Sequence, residues 1–169
     1  METIYFQGTP CHTYGDLPLT GTVAYDFTMP NKDLKPVELS DFRGKNVVLN
    51  IFPSLDTAVC AMSVRKFNKD AASLPDTVVL CVSKDLPFAA KRFCSAEGID
   101  NLDVLSAFNS PDFVKNYGVE ITDGPLAGLL ARAVIIVDPE GKVSYRELVE
   151  EITNEPDYKA AVDFLKSGK

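Results

Sequence analysis

Asn46-Val-Val-Leu-Asn-Ile-Phe-Pro-Ser-Leu-Asp-Thr-Ala-Val-Cys60 decides how this chain is read. Its first seven residues are almost continuously apolar and β-branched, the pattern of a strand buried on both faces. Pro53 ends that strand, because it has no N–H for the ladder. Beyond the break, Cys60, Val64, Phe67 and Ala71 recur at spacings of four, three and four. Such spacing predicts one apolar face of a helix. Cys60 then falls in the first turn, pointing toward the core. Backbone N–H groups are unpaired there and the helix dipole is positive. That field favours thiolate, the reactive form of cysteine.

Outward from this unit, Thr77-Val-Val-Leu-Cys-Val-Ser83 reads as a second buried strand. Pro87 to Ala96 reads as a helix with Pro at its start and Gly98 after its end, and it carries Cys94. Leu102 to Leu105 is a short strand. Ser110 to Gly118 is a helix with a Ser cap and Pro in first position. Arg132-Ala-Val-Ile-Ile-Val-Asp138 is a third buried strand, turned by Pro139 to Lys142 into a hairpin with Val143 to Val149. Asp157 to Lys166 closes the chain as a helix, with Tyr158, Ala161, Val162 and Leu165 on one face. Residues 1 to 44 are rich in Thr, Gly and Pro and predict β-hairpins: Ile4 and Phe6 alternate, as do Val23, Tyr25 and Phe27, and Val37-Glu-Leu39 resumes after a turn at Met29 to Asp33. Ser40 to Gly44 reads as one helical turn. A parallel pair at 46–83 and an antiparallel pair at 131–149 predict an α/β protein with a thioredoxin-like core: a central mixed sheet flanked by helices, extended by N-terminal hairpins. At 169 residues, a single domain over 1–169 is expected.

Composition narrows the function. The chain is 46% hydrophobic and 24% charged, enough apolar material for a real core. Its formal charge of −7 argues against nucleic acid as a partner. No apolar run approaches the roughly eighteen residues that span a bilayer. The first residues lack a basic region followed by an apolar segment, so no secretory signal is expected. Four cysteines without a signal do not predict a disulfide scaffold, and none is spaced C-x-x-C. A zinc site from Cys60, Cys81 and Cys94 lacks ligand spacing. His12, far from Cys60 in sequence, reads as a hairpin surface residue. Cys81 reads as an inert strand residue, Cys11 as a hairpin residue without a role, and the aromatics Phe52, Phe67 and Phe113 as core.

Pro53, Thr57 and Cys60 fit the Pro-x-x-x-Thr-x-x-Cys pattern of the peroxiredoxins. Asn50 to Cys60, Ser63-Val-Arg-Lys-Phe-Asn68, Asp85-Leu-Pro-Phe-Ala89, Arg92-Phe-Cys94, Asp123-Gly-Pro-Leu-Ala-Gly128 and Phe6-Gln-Gly-x-Pro10 all resemble the bacterial thiol peroxidase branch, the atypical 2-Cys type. The resemblance runs essentially end to end; Cys11 is an addition to the pattern. It implies a thioredoxin-like fold, hydroperoxide reduction in antioxidant defence, a cytoplasmic homodimer, and thioredoxin as reductant, with no cofactor and no metal. Carried over by position, it implies Cys60 as peroxidatic cysteine, Cys94 as resolving cysteine, Pro53 and Thr57 as pocket formers, and Arg132 as the arginine of the second motif.

The chemistry sets its own demand on these residues. A thiol with pKa near 8.5 is roughly 3% thiolate at pH 7, and lowering the pKa to about 6 gives a thirtyfold gain in thiolate. Intrinsic nucleophilicity falls by about tenfold to twentyfold over the same change. Acidity alone therefore yields a few-fold. The larger contribution must come from donors that hold the peroxide in line and stabilise charge on the leaving oxygen. Arg132, the Thr57 hydroxyl and the backbone N–H groups before Cys60 are the candidates. Val59, Phe88 and Phe93 lie near the two thiols in sequence and predict preference for an apolar peroxide. Joining Cys60 to Cys94 needs Cα atoms about 4.4–6.8 Å apart, whereas packed helices sit about 8–10 Å apart, so local unwinding is expected. A redox sensor using the same disulfide and a non-catalytic thioredoxin-like module are the competing readings.

Overall fold

The computed structural model describes residues 1–71, 73–99 and 103–167. Five strands form the central sheet: β5 (Asn46–Ile51), β6 (Thr77–Ser83), β7 (Asp103–Ser106), β8 (Ala133–Val137) and β9 (Val143–Leu148), in the order β7-β6-β5-β8-β9. The β5, β6 and β7 strands run parallel, while β8 is antiparallel to β5 and β9 to β8. The expected parallel and antiparallel pairs are both present. Leu102, the first residue assigned to the short strand, lies outside the described residues; β7 starts at Asp103.

Period-two alternation splits this sheet between two cores. Val47, Leu49 and Ile51 of β5 face one core with Leu80, Val82, Leu105, Ala133 and Ile135. Val48 and Phe52 face the other with Val79, Cys81, Val104, Val134 and Ile136. Because both faces are covered, β8 carries no polar side chain and β5 only Asn46 and Asn50, as their sequences announced. Over the first core lie the hairpin of β3 (Thr28–Pro30) and β4 (Pro36–Glu38), the 3-10 turn Leu39–Phe42, and α3 (Pro111–Asn116). Over the second lie α1 (Ala58–Asp70), α2 (Pro87–Glu97) and α4 (Tyr158–Lys166). A second hairpin, β1 (Thr3–Phe6) with β2 (Thr9–His12), stands apart around Ile4, Cys11, Ile121, Ala131 and Ile152.

Two local expectations fail. Val23, Tyr25 and Phe27 alternate but form no strand; β3 begins at Thr28, and Met29 and Pro30 belong to it rather than to the turn. Only Phe27 of the three is buried, and the segment is pinned singly, by Ala24 N–H to the Gly141 carbonyl and by the Tyr117 hydroxyl to the Tyr25 carbonyl. Ser110 stands at the N-cap of α3 but its side chain does not cap; its hydroxyl donates to the Thr28 carbonyl, tying α3 to β3. Gly118, at φ +67°, ends the α3 region where the backbone of Asp16 presses too close for any side chain.

Candidate active site

Cys60 opens α1 one turn behind its cap. Thr57 has extended backbone (φ −98°, ψ 146°), and its hydroxyl oxygen accepts the Cys60 N–H at 3.2 Å. The Thr57 hydroxyl proton points back to the Ser54 carbonyl, also at 3.2 Å. Thr57 is thus an N-cap of the kind that satisfies an otherwise unpaired helix donor. Pro53 is buried beneath this loop.

A carboxylate absent from the sequence-derived list holds the loop in place. Asp85, just after β6, accepts from the Ser54 hydroxyl at 2.8 Å, the Leu55 N–H at 2.7 Å and the Ser83 hydroxyl at 2.8 Å. The stretch between Pro53 and Thr57 is therefore fastened to the entry of α2, the helix that carries Cys94. Asp85 lies in a stretch already noticed for its resemblance, yet nothing in one sequence distinguishes a loop-tying carboxylate from a solvated one.

Cys60 is fully buried, with 0% of its surface exposed. As the helical spacing predicted, the apolar face that includes Val64 and Phe67 turns Cys60 inward with it. Cys94 is also buried, on the face of α2 that joins the same core. The two residues thus share one apolar cluster, and Phe93 packs on its edge. Phe88, by contrast, is largely exposed, and Val59 is half-buried.

Arg132 precedes β8 and, by strand alternation, faces the same core as Val134 and Ile136. It is 2% exposed. Its Nε donates to the Ile152 carbonyl at 2.8 Å, and among the described residues Nη1 has no hydrogen-bond partner. Among the described residues, Arg132 makes no ion pair. A buried guanidinium without a carboxylate is costly and unusual. Tyr158 of α4 stands near it; burial raises this phenol first, then its hydrogen bond to Glu155, while Arg132 and Ser63 pull the other way.

A buried polar file runs through this core. Asn50 of β5 donates to the Ser63 hydroxyl at 3.0 Å and reaches the Cys81 sulfur at 3.7 Å. Burial pushes the Cys81 thiol up to about 12, so it stays protonated and unreactive in the folded chain, as its strand position implied. Asn50 was legible as the one polar interruption of an apolar strand; Ser63, three residues after Cys60, was not. Cys11 is buried in the hairpin cluster, and His12 bonds Asp123 at 2.6 Å on the surface, so neither lies with Cys60. Among the described residues, no three His, Cys, Asp or Glu side chains gather as a metal site, and no helix is long and apolar enough to cross a membrane.

The whole chain has close counterparts among known proteins. The Redoxin family model matches residues 19–162. The thiol peroxidase of Corynebacterium glutamicum is 55% identical over 165 residues, covering 98% of this chain and 99% of that protein. The thiol peroxidase of Mycobacterium bovis is 53% identical over the same span and coverage. A peroxiredoxin-like protein from Aquifex aeolicus superposes with a TM-score of 0.93 at 41% identity, covering 99% of this chain and 97% of that one. With identity of this order over nearly the whole length and the fold in common, the chain belongs to the thiol peroxidases, peroxiredoxin enzymes of the Redoxin family.

Proposed function

We propose that Cys60 reduces hydroperoxides, hydrogen peroxide and organic hydroperoxides alike, and that Cys94 resolves the product as an intramolecular disulfide. The observation that carries this reading is Arg132: a buried cation with one unsatisfied donor, on the sheet face that Cys60 and Cys94 also cover. An anion forming in that core, the Cys60 thiolate or the leaving oxygen of a peroxide, supplies the charge it lacks. Thr57 acts through the backbone, fixing the first turn of α1, and Pro53 shields the sulfur.

The thiolate sulfur attacks the terminal peroxide oxygen. An S–O bond forms, the O–O bond breaks, and the alkoxide or hydroxide leaves with a proton as alcohol or water. The Cys94 thiol then attacks the sulfenic sulfur, expelling water and leaving a disulfide. A dithiol reductant returns two electrons and two protons by thiol exchange; thioredoxin is the reductant we assign. Both steps require movement, since Cys60 is sealed and each cysteine is held in a helix. The exposed Asp56–Ala58 end of α1 is the segment that must loosen. We further read the enzyme as a cytoplasmic homodimer.

Peroxide consumption with a thioredoxin system tests the proposal. Cys60→Ser should abolish turnover. Cys94→Ser should allow the first oxidation but not thioredoxin-driven cycling. Full turnover by Cys60→Ser overturns the assignment. Consumption of about one equivalent without cycling, by the parent chain, favours the sensor reading.

A further inference from the structure

Arg132 is held by a loop, and that loop is held by the N-terminal hairpin. The Ile152 carbonyl takes the Arg132 Nε–H at 2.8 Å, and the Val149 N–H donates to the Arg132 carbonyl at 2.9 Å. The Ile152 N–H in turn donates to the Tyr5 carbonyl, and the Tyr5 N–H to the Glu150 carbonyl, both at 2.8 Å. So β1 lies along residues 150–152. Glu151 locks this contact. Its carboxylate accepts the N–H groups of Gln7 at 3.1 Å and Gly8 at 2.9 Å, from the turn between β1 and β2. It also accepts the Thr153 N–H at 3.1 Å and the Thr153 hydroxyl at 2.9 Å. Gln7 and Gly8 both have positive φ (52° and 82°), which aims successive N–H groups at one point, an anion nest filled by a side chain.

We propose that Glu151 is a positioning residue for peroxide reduction: by clamping the hairpin turn to the loop that carries Ile152, it sets the direction of the Arg132 guanidinium. The inference rests on the reading of Arg132 as the group that orients the peroxide. Arg132 needs such a holder. Its five donors form a rigid planar fork, so the one bonded at Nε fixes where the others point. Among the described residues, Nη1 has no partner to restrain it. A small shift of the Ile152 carbonyl therefore turns the whole fork. The clamp is strong because each of its four bonds ends on a charged acceptor. Glu151→Gln keeps the shape but turns an amide NH2 against the backbone donors on one side. Glu151→Asp keeps the charge and shortens the reach.

The test is a double-mutant cycle on the full chain, with hydrogen peroxide as substrate and dithiothreitol as reductant. In a two-step thiol cycle, kcat/KM for peroxide reports only the first half-reaction. Glu151→Gln should lower it roughly tenfold, the scale of a sub-ångström misplacement at a reacting centre. It should leave kcat/KM for dithiothreitol unchanged, and Glu151→Asp should recover part of the loss. In an Arg132→Met background the same substitution should do nothing more. Should Glu151→Gln fail to fold, Thr153→Val removes one of the four bonds and should lower the peroxide rate two- to threefold by the same pattern. Equal losses in both backgrounds, equal losses in both half-reactions, or no loss at all would overturn the inference. Full peroxide activity of Arg132→Met alone would overturn the reading beneath it, a result distinct from the others.

Discussion

Arg132→Met should make the protein more stable and nearly inactive. The guanidinium is 2% exposed, has no ion pair among the described residues, and leaves Nη1 unsatisfied. Holding such a charge in the core costs several kcal/mol. Its bond to the Ile152 carbonyl returns about 1.5–3 kcal/mol. Methionine fills a similar volume without charge, at the cost of leaving that carbonyl unpaired, about 1–3 kcal/mol. The balance favours the variant by about 1 kcal/mol, or a melting point roughly 2–4 °C higher for a chain of this size. The peroxide reaction, followed by stopped-flow under pseudo-first-order conditions, should slow by about 10²–10³, the usual loss when a transition-state donor is removed. Calorimetry on the same samples gives the stability. A lower melting point would mean that the arginine is structural. A rate within about twofold of the parent would mean that it does not touch the reaction. Either result refutes the reasoning.

Three further outcomes follow from the geometry. Asp85→Ala removes three bonds, two of which tie the cysteine loop to the β6–α2 connection; it should lower the melting point by about 6–12 °C, taking about 3 kcal/mol for three partly exposed charged bonds, and it should slow peroxide reduction in stopped-flow. The Glu151 carboxyl is held down to about 2, first by the Thr153 and Gly8 N–H groups. Its folded value lies below the unfolded one, so its contribution is complete above the unfolded value of about 4.3 and is lost as pH falls through the folded one. The gap in urea midpoint between the parent and Glu151→Gln should therefore narrow steadily from pH 5 to pH 2. Cys81, fully buried with its thiol raised to about 12, should resist iodoacetamide at pH 8 in the folded chain and react only in denaturant; labelling read by peptide mass decides.

The fold was legible because its strongest signals are local and agree with one another. Continuous apolar runs marked β5, β6 and β8, Pro87 and Gly98 bracketed α2, and the helix read from Asp157 begins at Tyr158, with Asp157 as its cap through the Ala160 N–H. The residues at 23–27 misled because alternation describes a half-buried strand, yet the pairing here stops at a single antiparallel bridge, Val23 with Lys142, and does not extend into a ladder. In the site, Cys60 could be read from spacing, while Thr57 entered only through the resemblance as a pocket former, and its capping of the Cys60 N–H is seen in the structure. Asp85, Ser63 and Glu151 could not, because each acts on a segment distant in sequence: Glu151 is more than 140 residues from the turn it clamps. Burial of the Cys60 sulfur follows from the same helical face that made Cys60 visible.

The most direct test oxidises the protein with one equivalent of hydrogen peroxide and maps its cysteines by peptide mass. A single Cys60–Cys94 link, formed with the loss of two hydrogens, reversed by thioredoxin and absent from Cys60→Ser, is the predicted result. Oxidation at Cys11 or Cys81 with Cys60 still a thiol would contradict it.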